Sequence, residues 1–201
     1  MSSGNLTDLH KDMLAEIFNM GMGQAVNAIS QLSGKDHEVT FQIPTVEFIS
    51  KKKLIENLES QKDIGMIVQR YHGSLEGRAI MYYPQISGKE LARLLIGTDI
   101  PLEKIERLES DAFVEIGNIF INASLSSLAH FIGQEILTDL PQIVFSDLLS
   151  DEGNAEDYII QLNSSFRVDE MEIDGKVAFL LEPDALETLL LAIDNYLASM
   201  G

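Results

Sequence analysis

Cysteine is absent from all 201 residues, which removes a disulfide framework, a cysteine-ligated zinc site and a thiol nucleophile from consideration at once. Positive charge is scarce, with 14 Lys+Arg against 32 Asp+Glu and a formal charge of -18. A surface of that sign repels a phosphate backbone and an anionic bilayer, so no nucleic-acid partner is expected. Such a surface serves solubility first, and it also steers a partner with a basic face in a salt-dependent way. The polar start, Met1 to Asp8, lacks the basic and then apolar pattern of a secretory leader. No apolar run approaches the roughly 20 residues of a membrane span. A cytoplasmic protein without membrane insertion is therefore the expectation. His10, His37, His72 and His130 show no zinc-type spacing such as H-E-x-x-H. Ser30, Ser124, Ser126 and Ser127 fall in helical stretches without a G-x-S-x-G elbow. The run Asn19-Met20-Gly21-Met22-Gly23 has neither the preceding strand nor the Lys-Ser/Thr of a phosphate-binding loop. Neither a metal site nor nucleotide hydrolysis is indicated.

What is present is a core-forming composition, 45% hydrophobic, and an internal repeat. Asp12-x3-Glu16-x2-Asn19 returns as Asp111-x3-Glu115-x2-Asn118, displaced by 99 residues. Gln42-Ile43-Pro44-Thr45-Val46-Glu47-Phe48 is echoed by Leu140-Pro141-Gln142-Ile143-Val144-Phe145. Glu76-Gly77-Arg78-Ala79-Ile80 is matched by Asp174-Gly175-Lys176-Val177-Ala178 at nearly the same offset. Each half reads as a long helix, an extended segment with a proline, a short helix or loop, two strands and a closing helix. The boundaries are about 7–33, 38–49, 50–59, 63–73, 75–83 and 87–97 in the first half. In the second they are about 103–132, 135–146, 147–153, 156–168, 173–182 and 184–199. The strands follow one another without crossover helices, and Arg70 to Gly77 reads as a hairpin turn, so pairing is expected to be antiparallel. The fold class is α+β with pseudo-twofold symmetry, an antiparallel central sheet being flanked by two long motif-bearing helices and further helices. No linker separates the halves, about 7–99 and 103–199, so a single domain over 1–201 with a shared core is expected.

At about 100° per residue, positions 12, 16, 19 and 23 lie within roughly 60° on a helix. Leu14, Ile17, Phe18, Gly21, Ala25, Ala28, Ile29 and Leu32 cluster on the opposite side, which should face the core. The second helix repeats this, with Phe113, Ile116, Gly117, Phe120 and Phe131 inward and Asp111, Glu115, Asn118 and Asn122 outward. A lone E-x-x-N spacing is an ordinary solvated face. Its recurrence is not, because Asn is a poor helix-interior residue with no packing reason to occupy an outward position twice. Gly21, Gly23 and Gly117 each cost about 1 kcal/mol relative to alanine inside a helix. Close packing accounts for the two inward ones, and close approach by another molecule would account for Gly23.

These residues resemble the D/S-x3-E-x2-N motif of the CheC, CheX and FliY phosphatases, and the length, the two copies and the run from Glu16 to Ala25 are most similar to the CheC type. The resemblance implies hydrolysis of the aspartyl phosphate of a phosphorylated CheY-like response regulator. It implies that Asn19 and Asn118 orient the attacking water and that Glu16 and Glu115 dock on the receiver's lysine. Asp12, Gly23, Asp111 and Asn122 would contact the partner. No cofactor of its own is implied, since the Mg2+ belongs to the receiver, and binding to the deamidase CheD is implied by likeness to CheC alone. The rival reading is a non-catalytic binding module for a receiver, CheD or a flagellar-switch component. Three departures stand out. Asn122 replaces the glycine found at Gly23, adding bulk where a partner would approach, so the first site is expected to be the stronger. Ile17-Phe18 stands where Ile-Gly is usual, a form that Ile116-Gly117 keeps. The closing segment from Leu186 to Ile193 is strongly apolar, as a core helix or a subunit interface would be.

Overall fold

The computed structural model describes residues 7–32, 38–60, 64–84, 102–144, 158–168 and 171–200. The helix expected at 87–97 and the stretch 147–153 lie outside them. Helix α1 (Asp8–Leu32) is followed by strands β1 (Val39–Phe41) and β2 (Thr45–Ser50), helix α2 (Lys51–Glu59), and strands β3 (Ile64–Gly73) and β4 (Gly77–Pro84). The second half gives α3 (Leu102–Ile132), β5 (Ile136–Thr138), β6 (Gln142–Ile143), β7 (Tyr158–Val168), β8 (Met171–Leu181) and α4 (Pro183–Met200).

Local chemistry fixes where the helices begin and end. The Thr7 hydroxyl accepts from the His10 N–H at 3.2 Å while His10 Nδ1 accepts from the Thr7 N–H at 3.1 Å, a reciprocal cap on α1. That leaves His10 Nε2 as the donor to Asp194 Oδ1 at 2.8 Å, tying the start of α1 to α4. Ser50 caps α2 through its Oγ on the Lys53 N–H. Helix α3 stops where Gly133 takes φ 68°, letting the Gln134 N–H reach back to Ala129 O and its own N–H to His130 O. Pro183 and Asp184 open α4, where a missing N–H is harmless and a negative charge is favoured.

Among the described residues the strands form one eight-stranded antiparallel sheet in the order β1-β7-β8-β4-β3-β5, with β2 also on β7 and β6 also on β3. The twofold runs between β8 and β4. A shift of 98 residues turns Ala79 into Val177 and Met81 into Phe179, and it exchanges the pairs Ala79↔Phe179 and Met81↔Val177. The short strands that follow each long helix do not return to their own half. β1 and β2 pair with β7 of the second half, and β5 and β6 pair with β3 of the first. The two repeats are thereby interlocked through hydrogen-bonded ladders rather than merely packed side by side.

One face of the sheet carries the main core. Leu14, Ile17, Phe18, Met22, Ala25 and Ile29 of α1 meet Phe113, Ile116, Phe120, Leu125 and Leu128 of α3 over Ile67, Met81, Leu162 and Phe179. Leu189 and Ile193 of α4 are fully buried there, as a core helix requires, whereas Leu191 is exposed. A smaller cluster on the other face packs Leu54 and Leu58 of α2 on Met66, Ile80, Tyr82 and Ile159. By length and composition, Ser110–Ile132 of α3 reaches the threshold for a membrane span. The sequence reading expected no apolar run of that length; this one has Asp111 and Glu115 within it. In the fold 50% of that window is buried, as the inner face of a helix packed on α1 and the sheet would be.

Candidate functional site

The two outward stripes form as the periodicity requires. Asp12, Glu16, Asp111 and Glu115 are exposed, while Asn19, Gly23, Asn118 and Asn122 are half-buried. Each helix thus offers an exposed carboxylate one turn before an amide that sits lower against the fold. The two helices are brought into contact by Gly21, where an added Cβ would lie 2.7 Å from Ala123 O and 3.0 Å from Ser124 Cα of α3. Gly23, two residues on, has nothing within 4 Å of that position. No packing among the described residues requires its lack of a side chain.

Around the second motif lies a polar network that the sequence did not disclose. Gln69 of β3, 1% exposed, donates from Nε2 to the backbone oxygen of Asp139 at 2.9 Å. The same amide reaches Asn122 Oδ1 at 3.2 Å and Asn118 Oδ1 at 3.3 Å. Asn122 Nδ2 donates to Asn118 Oδ1 at 2.6 Å. The backbone carbonyl fixes the polarity of the chain of amides: only an NH2 can face Asp139 O, so oxygens must face Gln69 Nε2. The carbonyl of Asn118 therefore points inward. Gln69 Oε1 is buried without a partner among the described residues, a situation that costs roughly 1–3 kcal/mol.

The first motif is built differently. Asn19 makes no side-chain hydrogen bond among the described residues. Gln69 pairs with Ala79, and the position related to it through Val177 is Leu162, apolar and 1% exposed. Phe18 is fully buried and stacks on Phe179 with ring centroids 5.3 Å apart, so an aromatic layer fills the space between α1 and β8. At the matching position of α3, a Cβ on Gly117 would collide with Cδ1 of Ile67 of β3. Gln69 was legible in principle, since it breaks the apolar alternation of Ile67 and Tyr71 on the helix-facing side of β3.

Other chemistry is thinly represented. Among the described residues no group of three or more His, Asp or Glu side chains is arranged to hold a metal ion. Burial pushes the Tyr71 and Tyr82 hydroxyls well above the usual tyrosine range, helped by the nearby charges of Glu182 and Glu47 respectively. Both therefore stay protonated as structural donors, Tyr71 to Leu180 O at 3.1 Å and Tyr82 to Gln161 Oε1 at 2.8 Å. An open cleft of about 440 Å³ beside the β3–β4 turn, lined by Arg70, Tyr71, His72, Glu76, Arg78 and Glu182 among others, includes none of the motif residues.

Comparison with known proteins agrees with this architecture. The CheC-like family matches at residues 9–39, the stretch holding Asp12, Glu16, Asn19 and Gly23. The chain is 23% identical over 195 residues to the CheY-P phosphatase CheC of Bacillus subtilis (strain 168), with 90% of this chain and 92% of that protein covered. Among solved structures, Thermotoga maritima FliY superposes with a TM-score of 0.75 at 19% identity, covering 95% of this chain and 98% of that one. A chain of the H. pylori FliM–SpeE complex gives 0.71 at 9% identity, with 94% and 96% covered. A chain of the Borrelia burgdorferi CheX–CheY–BeF3–Mg2+ complex gives 0.53 at 15% identity, with 83% and 96% covered. The first motif helix thus matches the CheC-like family in sequence, and nearly the whole chain shares the fold of the FliY and FliM chains.

Proposed function

We propose that this CheC-like chain is a phosphatase for the aspartyl phosphate of a CheY-like receiver domain, acting through Glu16 with Asn19 and Glu115 with Asn118. The observation that carries the reading is the repetition itself. Two helices of one fold present an exposed carboxylate and, three residues on, a half-buried amide, in positions where neither helix packing nor propensity asks for Asn. The likeness to a CheY-P phosphatase over 90% of the chain supports it, as does a CheX relative of the same fold found with CheY, BeF3 and Mg2+.

The chemistry asks little of the enzyme. An acyl phosphate on a receiver has the receiver's own magnesium and lysine to neutralise its oxygens, so the missing element is a water held in line. The amide of Asn19 or Asn118 orients that water, and Glu16 or Glu115 pairs with the receiver's lysine to fix the docked pose. The water oxygen bonds to phosphorus as the P–O bond to the aspartyl carboxylate breaks. The carboxylate leaves as the anion, and the protons of the water remain on the inorganic phosphate and in solvent. Asp12, Gly23, Asp111 and Asn122 line the approach.

The test follows decay of a phosphorylated receiver with and without the protein. Asn19→Ala combined with Asn118→Ala should remove the acceleration, a loss on the order of a hundredfold or more, while the fold is kept at a cost of about 1 kcal/mol for the hydrogen bonds that Asn118 accepts. A double variant as active as the parent would sink the assignment. The FliM chains of the same fold favour a second reading, a binding module without catalysis. It predicts receiver binding by the parent protein with no shortening of the phosphoryl lifetime.

A further inference from the structure

We infer that Gln69 is the positioning residue of the second site: it fixes the polarity of the Asn118 amide, and Asn122 completes the hold. The second motif then meets a docked phosphoryl group as a preorganised N–H donor, whereas the first does not. The consequence for rate rests on the phosphatase reading above; the ordering of the amide does not.

The geometry leaves one orientation. Asp139 O takes one hydrogen of the Gln69 NH2 at 2.9 Å, and the other is shared between Asn122 Oδ1 and Asn118 Oδ1 at 3.2 and 3.3 Å. With Asn122 Nδ2 at 2.6 Å from the same Asn118 oxygen, both lone-pair directions of that carbonyl are engaged. Asn118 has only its Nδ2 left to turn outward. A single N–H to the water oxygen leaves a lone pair for phosphorus, and the amide no longer has to be ordered when the receiver docks. The bulk of Asn122, from which a weaker second site was expected, is instead folded into a hydrogen bond.

Gln69 gives only one of its two N–H groups to the Asp139 backbone carbonyl. Its Oε1 is buried and unpartnered among the described residues, and the corresponding position of the other half is the buried Leu162. At the first site Gly23 supplies no counterpart of Asn122. Asn19 there orders only on docking, so the second site is the faster of the two.

The experiment uses the Asn19→Ala protein, in which only the second site works, and a phosphorylated CheY-like receiver with Mg2+. Adding Gln69→Leu, the residue already tolerated at 162, should lower kcat about tenfold, leave KM within about twofold and not lower the unfolding midpoint. Side-chain 15N relaxation supplies a readout independent of activity. In the parent protein the Asn118 amide should be more rigid than that of Asn19, and Gln69→Leu should bring it to the level of Asn19. Should Gln69→Leu fail to fold, Asn122→Ala removes the other donor and is read in the same two ways, with a smaller loss of kcat. An unchanged kcat while activity still depends on Asn118 overturns the positioning role and leaves the phosphatase reading standing. So does equal mobility of Asn19 and Asn118 in the parent. Activity that survives loss of both Asn residues overturns the phosphatase reading without touching the order of the amide.

Discussion

The first and second motif helices carry the same outward chemistry and opposite inward solutions. Where α1 has Phe18 and then Gly21, α3 has Gly117 and then Phe120. Phe18 fills the layer between α1 and β8 by stacking on Phe179, and Gly21 admits the backbone of α3. On α3 the order is reversed: Gly117 lets Ile67 approach and Phe120 fills the core. Large and small residues have changed places at constant spacing, so total volume is conserved while each helix is seated differently. A repeat can therefore keep its surface motif intact while the layer beneath it diverges, and the divergence reaches the motif through whatever lies under the amide.

Several substitutions break this comparison. The largest effect is expected from Phe18→Ala, which removes a fully buried ring and its stacking partner's contact. Stability should fall by about 3–5 kcal/mol, read from denaturant unfolding, and a loss below about 1 kcal/mol would show that α1 is not seated through that ring. Gly21→Ala ranks next. Its Cβ would press on backbone at Ala123 and Ser124, which cannot swing away as a side chain can, so a loss of about 1–3 kcal/mol is expected. A neutral result would mean that α1 and α3 slide easily past each other.

The smallest effect has the opposite sign. Gly23→Ala puts a methyl group into open space within a helix, so the protein should gain about 0.5–1 kcal/mol. Two glycines two residues apart should thus respond in opposite directions, one held by packing and the other free of it. If phosphatase activity at the first site also falls in Gly23→Ala, the residue is kept for the partner's approach; a stable variant with full activity would remove Gly23 from the docking surface.

Much of this was legible in the chain. The stripe from Asp12 to Gly23 and its copy at Asp111 to Asn122 follow from helical periodicity alone. The inward faces read from the same wheel are buried at Leu14, Ile17, Phe18, Phe113, Ile116 and Phe120, all in the core, whereas Leu32, also read as inward, is exposed in the last turn of α1. The extended segments around Pro44 and Pro141 were placed correctly, although each resolves into two short strands rather than one. The degree to which the Asn residues sink was not legible: they share a face with the exposed Glu16 and Glu115 yet are half-buried, because the neighbouring surface rises to meet them and a helical wheel contains no neighbours.

The sequence by itself determined the repeat, the long helices, their apolar and polar faces and the spacing of the Glu–Asn pairs, since all of these depend on residues close together along the chain. Only the tertiary structure decided which half lies beneath which motif. Both halves carry nearly the same strand pattern, so local preference does not distinguish a short edge strand pairing with its own hairpin from one pairing with the other. The fold selects the exchange, placing β5 and β6 on β3. That choice brings Gln69 under Asn118 across 49 residues of sequence and gives two identical motifs unequal support.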